Sequence, residues 1–201
     1  NLADAFTDVD MPGDTLTFSA ISSNPAVVTV SVDGDLLTLQ ANGFGGVLVI
    51  VTATDSGGLI AETTFAVRAG AQHVVQLPAT GRAVNRTVVT RAGNALRVIN
   101  NGRRLLNVPL AEALGLTIIG VDGKSDVVTV NAGAGLGLSL PGGISFDGMG
   151  GAGVDTLAVR GTRGEDTLAV SANAVEIASA VANMSISFAG IENLSLNGLG
   201  G

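Results

Sequence analysis

Residues 144–170 read ISFDGMGGAGVDTLAVRGTRGEDTLAV. The stretch holds a short apolar strand, a glycine-rich turn, an aspartate and a second short strand. Turn, aspartate and strand then come again. Gly150-Gly151-Ala152-Gly153-Val154-Asp155-Thr156-Leu157-Ala158 sets the pattern, and Gly161-Thr162-Arg163-Gly164-Glu165-Asp166-Thr167-Leu168-Ala169 repeats it with one glycine replaced. Strands this short cannot bury an apolar face alone and must stack on neighbouring turns. The pattern predicts an all-β chain built of stacked coils.

Outward from this stretch the same rhythm recurs. Leu116-Thr117-Ile118-Ile119-Gly120, Ile144-Ser145-Phe146-Asp147-Gly148 and Leu194-Ser195-Leu196-Asn197-Gly198 share apolar, Ser/Thr, apolar, any, Gly. The first interval, from 116 to 144, suits one coil. The second, from 144 to 194, suits two, with GTRGEDTLAV as the extra one. An aspartate stands before a strand twice, Asp126 ahead of Val127 and Asp155 ahead of Leu157. Upstream, residues 87–91, 95–100 and 104–108 alternate as a three-strand meander, with Asn101-Gly102 as a two-residue turn.

Composition agrees. The chain has 201 residues, enough for one or two domains. It carries 29 glycines and 13% charged residues, about half the usual ~25%. Many short strands joined by glycine turns account for both. The absence of cysteine excludes disulfides and thiolate metal sites. No tyrosine or tryptophan is present, which removes the stacking platforms of sugar and single-strand nucleic-acid sites. A net charge of −7 disfavours nucleic acid and anionic membrane. The most apolar run, residues 47–53, is too short to insert in a membrane as a helix and suits a buried strand. No signal peptide is read, and the chain is expected to be a piece of something longer.

Residues 1–70 differ in charge and pattern. No lysine or arginine occurs before Arg68, while Asp4, Asp8, Asp10, Asp14, Asp33, Asp35, Asp55 and Glu62 all fall there. Period-two alternation marks strands at residues 15–19, 28–32 and 37–39, with Asp33-Gly34 as a hairpin signal. Residues 47–54 are continuously apolar, as in a central strand, and 63–67 close the unit. Five regularly spaced strands predict a β-sandwich. Residues 71–81, with Pro78 and Gly81, are expected to be a linker. Residues 82–201 then hold the meander and the parallel β-solenoid. Six arginines (82, 86, 91, 97, 103 and 104) cluster at the start of this second part.

Two resemblances carry these stretches further. FTDVDMPGDTLTFSA, SSNPAVVTVSVDGDLLTL and VIVTATDSGGLIAETTFAV resemble the dystroglycan-type cadherin-like (Ig-like) domain of large bacterial surface proteins, over the first third of the chain. That family has one more strand, ahead of the point where this chain opens. The resemblance implies that it was truncated or that a neighbour supplies it by strand addition. LPGGISFDGMGGAGVDTLAV and IENLSLNGLGG resemble the Gly/Asp-rich β-solenoid repeats of giant secreted bacterial, planctomycete-like proteins. Residues 150–158 fit G-G-x-G-x-D-x-U-x, the nonapeptide of calcium-binding parallel β-helices.

The resemblances imply calcium at two places. In the solenoid the candidate ligands are Asp126, Asp155 and Asp166, with Asp155 and Asp166 expected to face each other on adjacent turns. In the sandwich they are Asp8, Asp10, Asp14 and Asp55. Calcium takes six to eight oxygens, so no single turn suffices. The alternative is that these aspartates accept backbone N–H bonds within their own turns. Arg163 at a glycine position and Lys124 in the turn before Asp126 favour that alternative. The single histidine, His73, has no catalytic partner nearby in sequence and is expected to be exposed. Asn85-Arg86-Thr87, Asn183-Met184-Ser185 and Asn193-Leu194-Ser195 are glycosylation triplets of a kind frequent by chance.

The function expected from this is structural and adhesive, with no enzyme activity. The chain is expected to be an extracellular, cell-surface segment of a bacterial filament or surface protein. Its expected partners are copies of itself or adjacent repeats, joined by strand addition and acidic-to-basic contact. The alternatives are a β-helix enzyme acting on acidic polysaccharide, which would need arginine and aspartate in one groove, and a glycan-binding module.

Overall fold

A computed structural model describes residues 1–6, 15–133 and 137–198. The chain is all-β and divides into two compact units, Asn1–Gly70 and Ala71–Gly201.

The first unit holds five strands: β1 (Thr17–Ser22), β2 (Val28–Asp33), β3 (Leu36–Ala41), β4 (Gly45–Thr54) and β5 (Ile60–Ala69). One antiparallel sheet has the order β1-β4-β5, and β2 pairs with β3 in another. The apolar run at 47–54 is central, as its composition predicts. Val47, Val49, Val51 and Ala53 of β4 are buried, while Leu48 between them is about half exposed. That period of two places one face of β4 on a core with Leu2, Val28 and Ala69. Phe6 and Phe18 close its edge, with ring centroids 5.7 Å apart. β5 is exposed along most of its length.

The second unit winds between two six-stranded sheets. Its strands are β6 (Ala71–Gln76), β7 (Val84–Ala92), β8 (Ala95–Asn100), β9 (Arg103–Pro109), β10 (Ala113–Ile119), β11 (Ser125–Asn131), β12 (Ile144–Asp147), β13 (Thr156–Arg160), β14 (Asp166–Val170), β15 (Ala174–Ser179), β16 (Asn183–Ala189) and β17 (Asn193–Asn197). One sheet has the order β14-β15-β16-β12-β10-β6, the other β17-β13-β11-β7-β8-β9. Strands β6, β10, β12 and β16 pair in parallel, as do β7, β11, β13 and β17. Each circuit contributes one strand to each sheet. The apolar core runs between them through Leu116, Ile118, Phe146, Leu157, Val159 and Ile186.

Two hairpins interrupt the circuits. β8 and β9 extend one sheet beyond β7, and β14 and β15 extend the other beyond β16. The meander is therefore β7-β8-β9, and its Asn101-Gly102 turn has both residues at positive φ, 48° and 83°. A two-residue reversal requires that left-handed backbone, which Asn tolerates and Gly adopts freely.

Three expectations change. Residues 71–76, expected as linker, are β6, paired in parallel with β10. GTRGEDTLAV is not a coil; its strand, β14, pairs antiparallel with β15. The link between them is only residues 171–173, and a short link can reverse a chain but cannot carry it across to a parallel neighbour. Leu194 is not the third member of the Leu116 and Ile144 series. It lies opposite Leu157 in the other sheet, and the partner of Ile144 is Ile186. Both sheets face one core with the same alternation, so the pattern does not say which sheet a strand joins.

Candidate functional site

The residues that set the coils in register form a column at one corner of the second unit. Asn85, Asp126, Asp155 and Glu192 occupy one register position, the second residue of β7 and β11 and just ahead of β13 and β17. Asn85 pairs in register with Asp126. Its Nδ2 donates to Asp126 Oδ1 at 2.7 Å and to the Pro78 carbonyl at 3.2 Å. The N–H of Asp126 donates to Asp155 Oδ1 at 2.7 Å. The N–H of Asp155 donates to Glu192 Oε2 at 2.6 Å, and the Asp155 carbonyl accepts from the N–H groups of Glu192 and Asn193. Each side chain thus spans to the neighbouring coil. Asn85, Asp126 and Asp155 are all buried.

The carboxylates also hold their own turns. Asp126 Oδ2 accepts from the N–H of Val121 at 2.6 Å. Asp166 Oδ2 accepts from the N–H of Thr162 and its Oδ1 from the Thr162 hydroxyl, both at 2.7 Å. In each case the donor follows a glycine, Gly120 or Gly161, at which a Cβ would collide with the carboxylate. The matching glycine before Asp155 is Gly148, one residue further back than its counterpart is from Asp126. The N–H of Met149, which follows it, donates instead to Asp147 Oδ1 at 2.9 Å. Asp155 Oδ2 is therefore buried with no hydrogen-bond partner among the described residues. Burial pushes the Asp155 carboxyl above its ordinary range. The charges of Asp126 and Glu192 push the same way, and the Asp126 N–H opposes them.

The candidate calcium ligands fall in separate places. Asp8, Asp10 and Asp14 lie outside the described residues. Asp55 caps the β4–β5 turn, its Oδ1 accepting from the N–H of Leu59 at 2.7 Å. Asp155 stacks on Asp126 and not on Asp166, which sits in the turn opening β14. Among the described residues no three His, Asp or Glu side chains gather as they would around an ion. Asp126, Asp155 and Asp166 do not by themselves make a calcium cage: Asp126 and Asp166 have both oxygens engaged by N–H or O–H groups, and Asp155 offers one.

Asn85 and Glu192 were not among the sequence candidates. Their signal is position in the coil, since each takes the register position that Asp126 and Asp155 hold. Asn85 was noticed only as a glycosylation triplet, and its buried amide is committed to the column. His73 is half-buried on β6, opposite Leu116, rather than exposed, and its Nε2 has no partner among the described residues. In the first unit an open groove of about 420 Å³ is lined by Ser23, Gly46, Val47, Leu48, Ala66, Val67 and Arg68. Its lining holds one charged group and no carboxylate or imidazole for acid–base work. No helix among the described residues is long and apolar enough to cross a membrane. No family model matches the chain, and no curated protein or solved structure matches it.

Proposed function

We propose that this chain is a structural and adhesive segment of a large extracellular bacterial surface or filament protein, working by stacking and by contact with copies of itself. The observation that supports it most is the Asn85–Asp126–Asp155–Glu192 column, buried at its first three members. Most of its polar groups are spent on hydrogen bonds within and between coils, which is how polar residues serve a scaffold. Arg86, Arg104 and Arg160 are exposed on the outer side of their sheet, away from the buried aspartates. Among the described residues these arginines share no groove with the column's aspartates, which favours a scaffold over a polysaccharide-cleaving enzyme. Open strand edges supply the means of contact. β17 is an unpaired edge of one sheet and β14 of the other, and β5 of the first unit is a long exposed edge. The extracellular placement rests on the cadherin-like and Gly/Asp-rich sequence resemblances.

Display of the chain on a non-adherent bacterial host tests the proposal. Cells carrying it are expected to clump, and cells carrying the empty display scaffold to stay dispersed. Dispersed cells in both cases, at low and at physiological salt, would sink it.

A further inference from the structure

The sheet β17-β13-β11-β7-β8-β9 presents its outer face to solvent in rows set by strand register. One row runs through Thr156, Val127 and Arg86. The next passes through Val88, Ile99 and Arg104. A third carries Arg160, Asn131, Thr90 and Arg97. Strands lie about 4.8 Å apart and alternate residues along one about 6.6 Å apart, so Arg97 and Arg104 start ~8 Å from each other. The other outward positions of these strands are Ser, Thr, Asn, Ala, Val, Ile and Pro. Among the described residues none of them is acidic, although the whole chain has a net charge of −7.

The first unit carries the opposite sign. It has no lysine or arginine before Arg68. Asp33 and Asp35 flank the β2–β3 turn and are exposed. The N–H of Leu2 donates to the Asp35 carbonyl at 2.7 Å, which brings exposed Asp4 to the same end. β1 and β2 run in opposite senses: Ser23, just after β1, and Asn42, just after β3, both bond at the far end, to Leu48 and Val27. The β2–β3 turn therefore lies at the end where β1 begins and where the β4–β5 turn carries Asp55. The described aspartates of this unit all sit at that end.

We infer that the arginine face of one copy receives the acidic end of the first unit of a second copy. The inference rests on the self-adhesive function proposed above and names the contact that would carry it. The two surfaces differ, so the contact is heterologous: each copy gives its acidic end to one neighbour and its arginine face to another. Such a contact propagates head to tail unless it closes. Exposed opposite charges attract over about a Debye length, ~8 Å at physiological salt and less above it, so association is salt-sensitive.

A charge-swap experiment on the purified full chain decides it, with sedimentation over a concentration series as readout. R86E/R104E reverses the face, and D33K/D35K reverses the end. Wild type is expected to associate at low salt, with affinity falling at least ~10-fold at high salt. Each double variant alone is expected to sediment as a monomer with a wild-type circular dichroism spectrum. An equimolar mixture of the two is expected to associate again, because each reversed surface meets an opposite one. A mixture that stays monomeric, or either variant associating alone as wild type does, overturns the inference while leaving the clumping test of the wider function intact. A monomeric wild type that is retained on an acidic polysaccharide, and released by R86E/R104E, also overturns it and assigns the face to that polymer.

Discussion

The backbone N–H of Asp126 donates to Oδ1 of Asp155 at 2.7 Å, from one coil to the next. The same Asp126 carboxylate accepts from Asn85 on the coil before and from Val121 in its own turn. One buried residue, through its side chain and its N–H, therefore ties three pieces of chain together. Parallel strands joined by long circuits have little local sequence to set their register, and a polar column supplies it.

Asp126→Ala should be strongly destabilising. It leaves one hydrogen of the Asn85 amide and the Val121 N–H without an acceptor at the coil corner. About 3 kcal/mol is expected, or a fall of ~10 °C in Tm. Thermal unfolding by circular dichroism measures it. A loss under ~1 kcal/mol would mean that the column does not hold the coils.

Asp155→Asn should behave in the opposite way. The folded carboxyl titrates above its ordinary 3.8, chiefly because it is buried. The folded state then binds more protons than the unfolded state between those two values. Wild-type stability from this group is greatest in acid and declines as pH rises through that window. An amide keeps an oxygen for the Asp126 N–H and cannot ionise. At neutral pH the variant is expected to be as stable as wild type or better, by about 1 kcal/mol, with the gap closing on acidification. Denaturant unfolding at several pH values, in chelator, tests this. A variant less stable than wild type at neutral pH would show that the carboxylate has a partner that the amide cannot serve.

Calcium itself is expected to change little. Most candidate aspartate oxygens at the coil corner are committed to N–H groups, and one oxygen from Asp155 is far from the six to eight that the ion takes. Melting temperatures in excess calcium and in chelator should agree within ~2 °C, a shift worth under ~1 kcal/mol. A larger rise in calcium that vanishes in Asp155→Asn would place the ion on Asp155 Oδ2.

Gly120→Ala should cost more than Gly150→Ala. A Cβ on Gly120 would lie 2.6 Å from Asp126 Oδ2 and 3.0 Å from the carbonyl oxygens of Asp147 and Gly148. Backbone from the next coil cannot move aside without breaking the ladder, so about 3 kcal/mol is expected. Gly150 has φ +67° but open space around it, and alanine there costs only the left-handed backbone, about 1 kcal/mol. Equal losses at the two positions would contradict the close approach at the corner.

Much of this was legible in the residues. Alternation and turn chemistry placed the five strands of the first unit and the meander β7-β8-β9, because both signals act within a few residues. Asp126 and Asp155, each just ahead of an apolar run, were visible for the same reason. Asn85 and Glu192 were not, since an amide and a longer acid break the letter of the repeat while keeping its position.

Residue order alone was enough to establish that the chain is all-β, roughly where most strands lie, and that its first part is acidic and its arginines come later. Those are local properties, set by side-chain period, by backbone freedom at Asn and Gly, and by counting charge. The three-dimensional packing was needed to settle which sheet each strand joins, that Asp155 stacks on Asp126 and not on Asp166, and that β14 turns back on β15. Two sheets facing one core impose the same alternation on every strand, so partner and direction are chosen by loop length and by buried hydrogen bonds between coils 28 residues or more apart, as Leu116 is from Ile144.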